Sequence, residues 1–406
     1  MKNILRSTLF ALGLLFVSSP AFAVICGGGA GGTCFWILAG GAANWNATTN
    51  WSLTSGGVSC VCTPAGGEAI IFDSNSGTNG STINANISIA SLDTSGTGGS
   101  GSPFTGTITH NSSIIVTITG DLFRWGTGTI YAAGSTNRGF TFTPLDTHTV
   151  LLTSNGVSFS NATVLVAATD TNKTGVVQLQ DNYSQGTGGS LTVTTGGFDA
   201  NGKNLTLPNF SSTGSGVRAV TMGSSNTWTM QGTTGGTWDF TTTTNMTYTQ
   251  GTANIVLNDT TATPFTFIGG GKTFNNLTIN SKTAPGYVQF KGSPTFANMS
   301  VTAPIGIQVF GSTTLTISNA PTWTGSSGNY VVLHTNATTG SVSGNATLAI
   351  TTGTMQLHWA AIDSLTLNGA ASADNSFNLG GNNTGSGTGW NITAPIVGGG
   401  GHCIGC

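Results

Sequence analysis

One phrase recurs at a fixed distance, and this constrains the chain more than any other feature. Thr273-Phe274-Asn275-Asn276-Leu277-Thr278-Ile279 returns, with the numbering advanced by 22 (295 minus 273), as Thr295-Phe296-Ala297-Asn298-Met299-Ser300-Val301. Val288-Gln289-Phe290 lies between the copies, and a weaker copy occupies Gly202-Lys203-Asn204-Leu205-Thr206-Leu207. Each copy alternates apolar and polar residues, which puts one face of a strand in a core and the other in water. A unit of this size cannot bury its apolar face alone, so it stacks on copies of itself. Stacking predicts Phe274 over Phe296, Leu277 over Met299 and Asn276 beside Asn298, with Cα atoms ~5 Å apart.

The same alternation runs through the chain, as in Leu191-Thr192-Val193, Leu315-Thr316-Ile317 and Leu365-Thr366-Leu367. Turn residues punctuate it at Gly196-Gly197, Asn201-Gly202 and Gly269-Gly270-Gly271. The predicted fold class is all-β, a parallel β-solenoid behind an N-terminal cap. Tandem β-sandwiches also show short strands at such spacing and are the alternative. Only stacking asks a phrase to recur at a fixed offset. At about 22 residues per coil, residues 76–395 would make about 15 rungs and a rod ~70 Å long.

Charge narrows the function. Only 5% of the residues are charged, against a usual quarter. Nucleic-acid binding and a polybasic membrane patch both need clustered Lys and Arg, so neither partner is expected. With 37% hydrophobic residues and almost no net charge, the chain also lacks the signature of disorder.

The N-terminus carries an export signal. Lys2 and Arg6 precede a short apolar core from Leu9 to Val17, Pro20 breaks it, and Ala21-Phe22-Ala23 offers a small-x-small cleavage site. About nine apolar residues are too few to span a bilayer, and no later transmembrane segment is expected. A lipoprotein signal is disfavoured, because Cys26 follows Val24-Ile25. Cleavage after Ala23 removes Lys2 and Arg6, leaving eight Lys and Arg against twelve Asp and Glu, a net charge of −4. The expected localisation is exported: extracellular, cell-surface or periplasmic. The expected division is 1–23 signal peptide, 24–75 cap, 76–395 solenoid and 396–406 tail.

Export makes disulfides the default state of the six cysteines. They fall into pairs: Cys26 with Cys34, Cys60 with Cys62, and Cys403 with Cys406. Residues two apart on an extended strand lie ~7 Å apart, at the edge of disulfide geometry. Cys60 and Cys62 are therefore expected to reach across to Cys26 and Cys34. His402-Cys403-Ile404-Gly405-Cys406 follows the run Gly398 to Gly401. It supplies three zinc-capable ligands, but the favoured reading is a terminal disulfide, within the tail or between chains.

The cap has its own signature: Phe35-Trp36, Asn44-Trp45-Asn46, Asn50-Trp51-Ser52, Pro64 and Glu68-Ala69-Ile70-Ile71-Phe72-Asp73. This opening resembles that of autotransporter-type passenger proteins and related β-helical proteins of bacterial surfaces and phage tails. Gly189-Ser190-Leu191-Thr192-Val193, Phe198-Asp199-Ala200-Asn201-Gly202 and Gly270-Gly271-Lys272-Thr273-Phe274-Asn275-Asn276-Leu277 are similar to rungs of the same proteins. The resemblance covers most of residues 35–302. Its motifs are structural phrases, so it implies a right-handed β-helix rather than an activity. No series of membrane-type strands follows, so an autotransporter barrel is not expected in this chain.

An enzyme must still be tested against the residues. Glycoside hydrolysis needs two carboxylates flanking one bond, and after cleavage Glu68 is the one glutamate, with eleven aspartates. Asp170 with Asp181, and Asp239 with Asp259, are spaced so that neighbouring strands could unite them. Turn capping explains isolated aspartates equally well. A lyase would want a base such as Arg124, Arg138 or Arg218 beside acidic ligands. Trp125, Trp228 and Trp238 are candidate platforms for sugar stacking, with Trp323, Trp359 and Trp390 as further large aromatics. Each is a core residue unless it is exposed. No cofactor and no catalytic residue are expected. The predicted function is a surface adhesin or structural protein that presents a neutral polar face to glycans or proteins. A phage-type tail fibre and a polysaccharide lyase or hydrolase are the alternatives. The export signal favours the first over the phage fibre, since most phage tail parts assemble in the cytoplasm.

Overall fold

A computed structural model describes residues 24–392, apart from 27–30, 39–42, 135–137, 233–234, 260, 281, 283–285, 337–345, 364, 375–376 and 379–388. The signal segment and the Gly-Cys tail therefore lie outside the described residues.

The chain is all-β, and its strands run parallel. Among the described residues, Thr33–Trp36 with Trp51–Ser52 is the one antiparallel strand pair. Tandem antiparallel sandwiches are thus not what forms. One long sheet of eleven strands runs from Tyr183–Ser184 to Gly389–Ile392. Opposite it, strands such as Asn209–Ser211, Thr237–Asp239, Phe265–Ile268, Tyr287–Lys291 and Ile305–Phe310 pair in a second parallel series. Nearer the N-terminus, Ile115–Arg124 and Ser190–Asp199 each serve two ladders. Residues 115–118 pair with Arg138–Phe142, and residues 122–124 pair with Thr149–Thr153. Ser190–Asp199 likewise pairs with Ala162–Ala167 and Val176–Leu179, closing a six-strand parallel barrel.

The repeated phrase does what its spacing predicts. Phe274 pairs with Phe296, Asn276 with Asn298 and Leu277 with Met299 in one register. The two phenylalanine rings stack with centroids 5.3 Å apart and planes 27° from parallel. The inward row through this point is Leu205, Trp228, Ile255, Leu277 and Met299, all buried. Alternation at each strand aims these side chains inward, and stacking makes one continuous core from Cys26 to Ala371.

The spacing is less regular than the phrase suggests. From Ile255 to its partner Leu277 the numbering advances by 22, but from Leu315 to Leu348 it advances by 33 and from Leu348 to Leu367 by only 19. Strand lengths are held by the core, while the turns take up the difference. Their geometry is demanding: Asn201 and Gly202 both take positive φ, 50° and 68°. Gly251, at φ 57°, sits so close to the turn before it that a Cβ would overlap the Gly223 carbonyl oxygen.

An aromatic plug fills the N-terminal region. Trp36 packs edge-on against Trp51 at 5.1 Å and stacks on Phe72 at 5.5 Å. Trp45 meets Trp51 at 5.8 Å, and Phe72 passes the contact on to Phe104 at 5.2 Å. The indole N–H groups of two of them are held: Trp51 donates to the Trp45 carbonyl at 2.7 Å and Trp45 to Ser81 Oγ at 3.1 Å.

Candidate functional site

The outward rows of the two strand series carry the most regular chemistry on the molecule. Asn254, Asn276, Asn298 and Asn319 form a ladder. Each amide donates to the side-chain oxygen of the asparagine before it, at 2.7, 2.7 and 3.0 Å. Beside it, Ser300 Oγ donates to Thr278 Oγ1 at 3.1 Å. On the opposite series, the register aligns Asn209, Thr237, Thr266 and Gln289. Thr237 Oγ1 donates to Asn209 Oδ1, and Thr266 Oγ1 to Gln289 Oε1, both at 3.2 Å. These rows expose amides and hydroxyls at the spacing of adjacent strands and contain no charge.

The tryptophans named as sugar platforms are not available. Trp125, Trp228 and Trp238 are all fully buried, which corrects that expectation. Trp228 stands in the core row between Leu205 and Ile255, and Trp238 lies between Phe210 and Phe267. Trp125 spends its indole N–H on the Thr129 carbonyl at 3.1 Å. Trp323 is buried as well, while Trp359 is half-buried. The side chain of Trp390 lies outside the described residues.

Neither of the two aspartate pairs suggested by spacing forms a facing pair. Asp170 accepts from the Asp146 backbone N–H at 2.6 Å, and Asp181 accepts from the N–H groups of Ser154 and Asn155. Of Asp239 and Asp259, whose spacing suggests a pair, the first ends a strand of one series and the second follows a strand of the other. Asp239 holds Thr241, whereas Asp259 is buried in an ion pair with Lys282 at 2.9 Å. Arg124 and Arg218 are engaged in the same way. Arg124 binds Asp93 at 2.9 Å, and buried Arg218 donates to the carbonyls of Ser212, Gly216, Thr242 and Thr244. Arg138 is buried beside Tyr131 and His110. His110 accepts from the Tyr131 hydroxyl through Nδ1 and donates through Nε2 to the Ile114 carbonyl, each at 3.0 Å. Burial, aided by the Arg138 charge and opposed by that carbonyl, lowers the His110 pKa to about 4. A shallow open depression lined by Asn86, Ile87, Ser88, Ile115 and Thr117 contains no titratable group.

The cap cysteines converge, though not in the expected pairing. Cys60 is bonded to Cys62, while Cys26 and Cys34 are buried free thiols. An extended strand would hold residues two apart at ~7 Å. Val61, at φ 52°, folds the chain back, and the Cα atoms come to 5.2 Å, inside the disulfide range. Cys26 remains close, its Sγ 2.7 Å from Cys62 Sγ and 3.9 Å from Cys60 Sγ. A hydrogen bond with Cys26, reinforced by burial, pushes the Cys34 thiol well above the usual range. The convergence of Cys26, Cys60 and Cys62 as a metal-capable group is not legible in their spacing, which points only to cross-links. The candidates His402, Cys403 and Cys406 lie outside the described residues.

Comparison with protein-family models, curated proteins and solved structures gave no match. Among the described residues, no helix is long and apolar enough to cross a membrane.

Proposed function

We propose that this chain is an exported, surface-displayed right-handed β-solenoid with a structural or adhesive role, binding glycans or surface proteins through an uncharged polar face. The carrying observation is the asparagine ladder Asn254 to Asn319 together with the aligned polar row Asn209 to Gln289. Such rows offer donors and acceptors at a fixed repeat, with no charge to demand a charged partner. The solenoid reading is supported by strands that each pair, in parallel, with a strand one turn of chain later. Parallel crossovers are overwhelmingly right-handed, which supports the hand. The bonded cysteines of the cap fit an oxidising compartment.

The test is co-sedimentation with insoluble neutral polysaccharides and a glycan array, each at low and high salt. Binding should be nearly independent of salt, since no ion pairs carry it. Asn298→Lys and Asn319→Lys, on exposed ladder positions, should weaken it without unfolding the chain. Binding that vanishes at high salt, or that ignores both substitutions, would overturn the reading.

A further inference from the structure

We infer that the four cap cysteines, in their thiol state, form a binding site for one thiophilic metal ion of the Zn2+ class. The sulfurs come from three stretches of chain that the cap folds together. Cys26 lies in a segment whose Val24 pairs in parallel with Cys62, and Cys34 lies on Thr33–Trp36, which pairs with Ala69–Ile71. The Sγ atoms of Cys26, Cys60 and Cys62 all fall within 4.8 Å of one another. Cys34, buried beside Cys26, lies outside that group of three and becomes the fourth ligand by moving inward.

Tetrahedral zinc with Zn–S bonds of about 2.3 Å holds its sulfurs ~3.8 Å apart. Cys26 and Cys60 already stand at 3.9 Å. Cys62 sits closer to both, bonded to Cys60 and 2.7 Å from Cys26, so its sulfur must move outward to take a ligand position. Cys26, Cys34 and Cys62 are fully buried and Cys60 is partly buried, which shields a bound ion from water.

The metal and the disulfide are alternative states of the same sulfurs. Zinc binding displaces the thiol protons to solvent and moves no electrons. Joining Cys60 to Cys62 passes two electrons and two protons to a disulfide oxidant and removes two ligands.

The experiment uses the full chain, purified anaerobically with a non-thiol reductant and titrated with Co2+ and then Zn2+. Thiolate-to-cobalt charge-transfer absorption should grow to a single Co2+ per chain and be bleached by Zn2+. Bound zinc should protect the four cap cysteines from alkylation, as mapped by peptide mass. Cys403→Ser/Cys406→Ser should leave the signal unchanged, and Cys26→Ser should remove it. Absence of charge-transfer absorption in the reduced chain would overturn the inference, as would a signal that survives Cys26→Ser or is lost with the tail cysteines. Alkylation mapping needs no folded variant, so a misfolded Cys26→Ser would not leave the question open.

Discussion

At the scale of single residues, burial sets what each polar group can do. His110 is enclosed by Tyr131 and Phe140 and is neutral in the folded chain. Its pKa is about 4 there, against ~6.5 when unfolded. Between those values the unfolded chain binds more protons, so stability is complete above about pH 6.5 and falls as the pH drops toward 4. The loss attached to this one group reaches about 3 kcal/mol. Thermal melts of the protein and of His110→Gln between pH 7 and 4 should show the variant less stable at pH 7 but flatter toward acid. Parallel slopes would show that another group governs the acid limb. Leu277 makes the complementary case, since it is buried between Ile255 and Met299. Leu277→Asp should cost several kcal/mol by placing an unpaired charge in the core. Thr278→Asp, one residue along and facing outward, should cost under about 1 kcal/mol. Denaturant unfolding of the two side by side checks the inward and outward assignment.

At the scale of elements, a strand is stabilised by the strands on both sides of it, and the ladders make this visible. Asn276 gives one hydrogen bond to Asn254 and receives one from Asn298. Removing both with Asn276→Ala should cost about 1–2 kcal/mol, because these amides are only partly buried and water replaces part of the loss. The same change at Asn298 should be non-additive with it, since the two share a bond, and a double-mutant cycle measures that coupling. Arg218 performs a related task between elements. Its guanidinium joins the strand that begins there to the carbonyls of the turn at Thr242 and Thr244. Arg218→Met should cost about 3 kcal/mol by leaving buried acceptors unmet, with amide exchange accelerated first in that turn.

At the scale of the whole molecule, the proposed solenoid and the proposed export each have a direct measurement. Small-angle scattering should give an elongated particle, on the order of 70 Å or somewhat less, since the mean offset between stacked strands exceeds that of the repeated phrase. A maximum dimension expected of a compact sphere would remove the elongated adhesive surface. Amino-terminal sequencing of exported material should begin at Val24, and finding Met1 would remove the export argument together with the oxidising compartment inferred from it.

Alternation is a local property with a period of two, so the sequence alone determined the strands, their inward faces and the all-β class. The alignment of Phe274 with Phe296 was equally legible, because a phrase repeated without a break leaves one register in which like residues meet. Beyond that phrase the offset changes from rung to rung, long between Leu315 and Leu348 and short between Leu348 and Leu367. Similarity at a fixed distance then no longer reveals which strands pair. Only the tertiary structure decided what Trp228 and Trp238 stack between, since alternation marks their side of the strand but not the strands that lie above and below it. It also decided that Cys60 meets Cys62, through a positive φ at Val61 that no β-branched residue advertises. Buried Lys282 and Arg218 escaped the sequence for a related reason. A charge is tolerated inside only where a distant partner waits, and whether it waits depends on turn lengths summed over many residues.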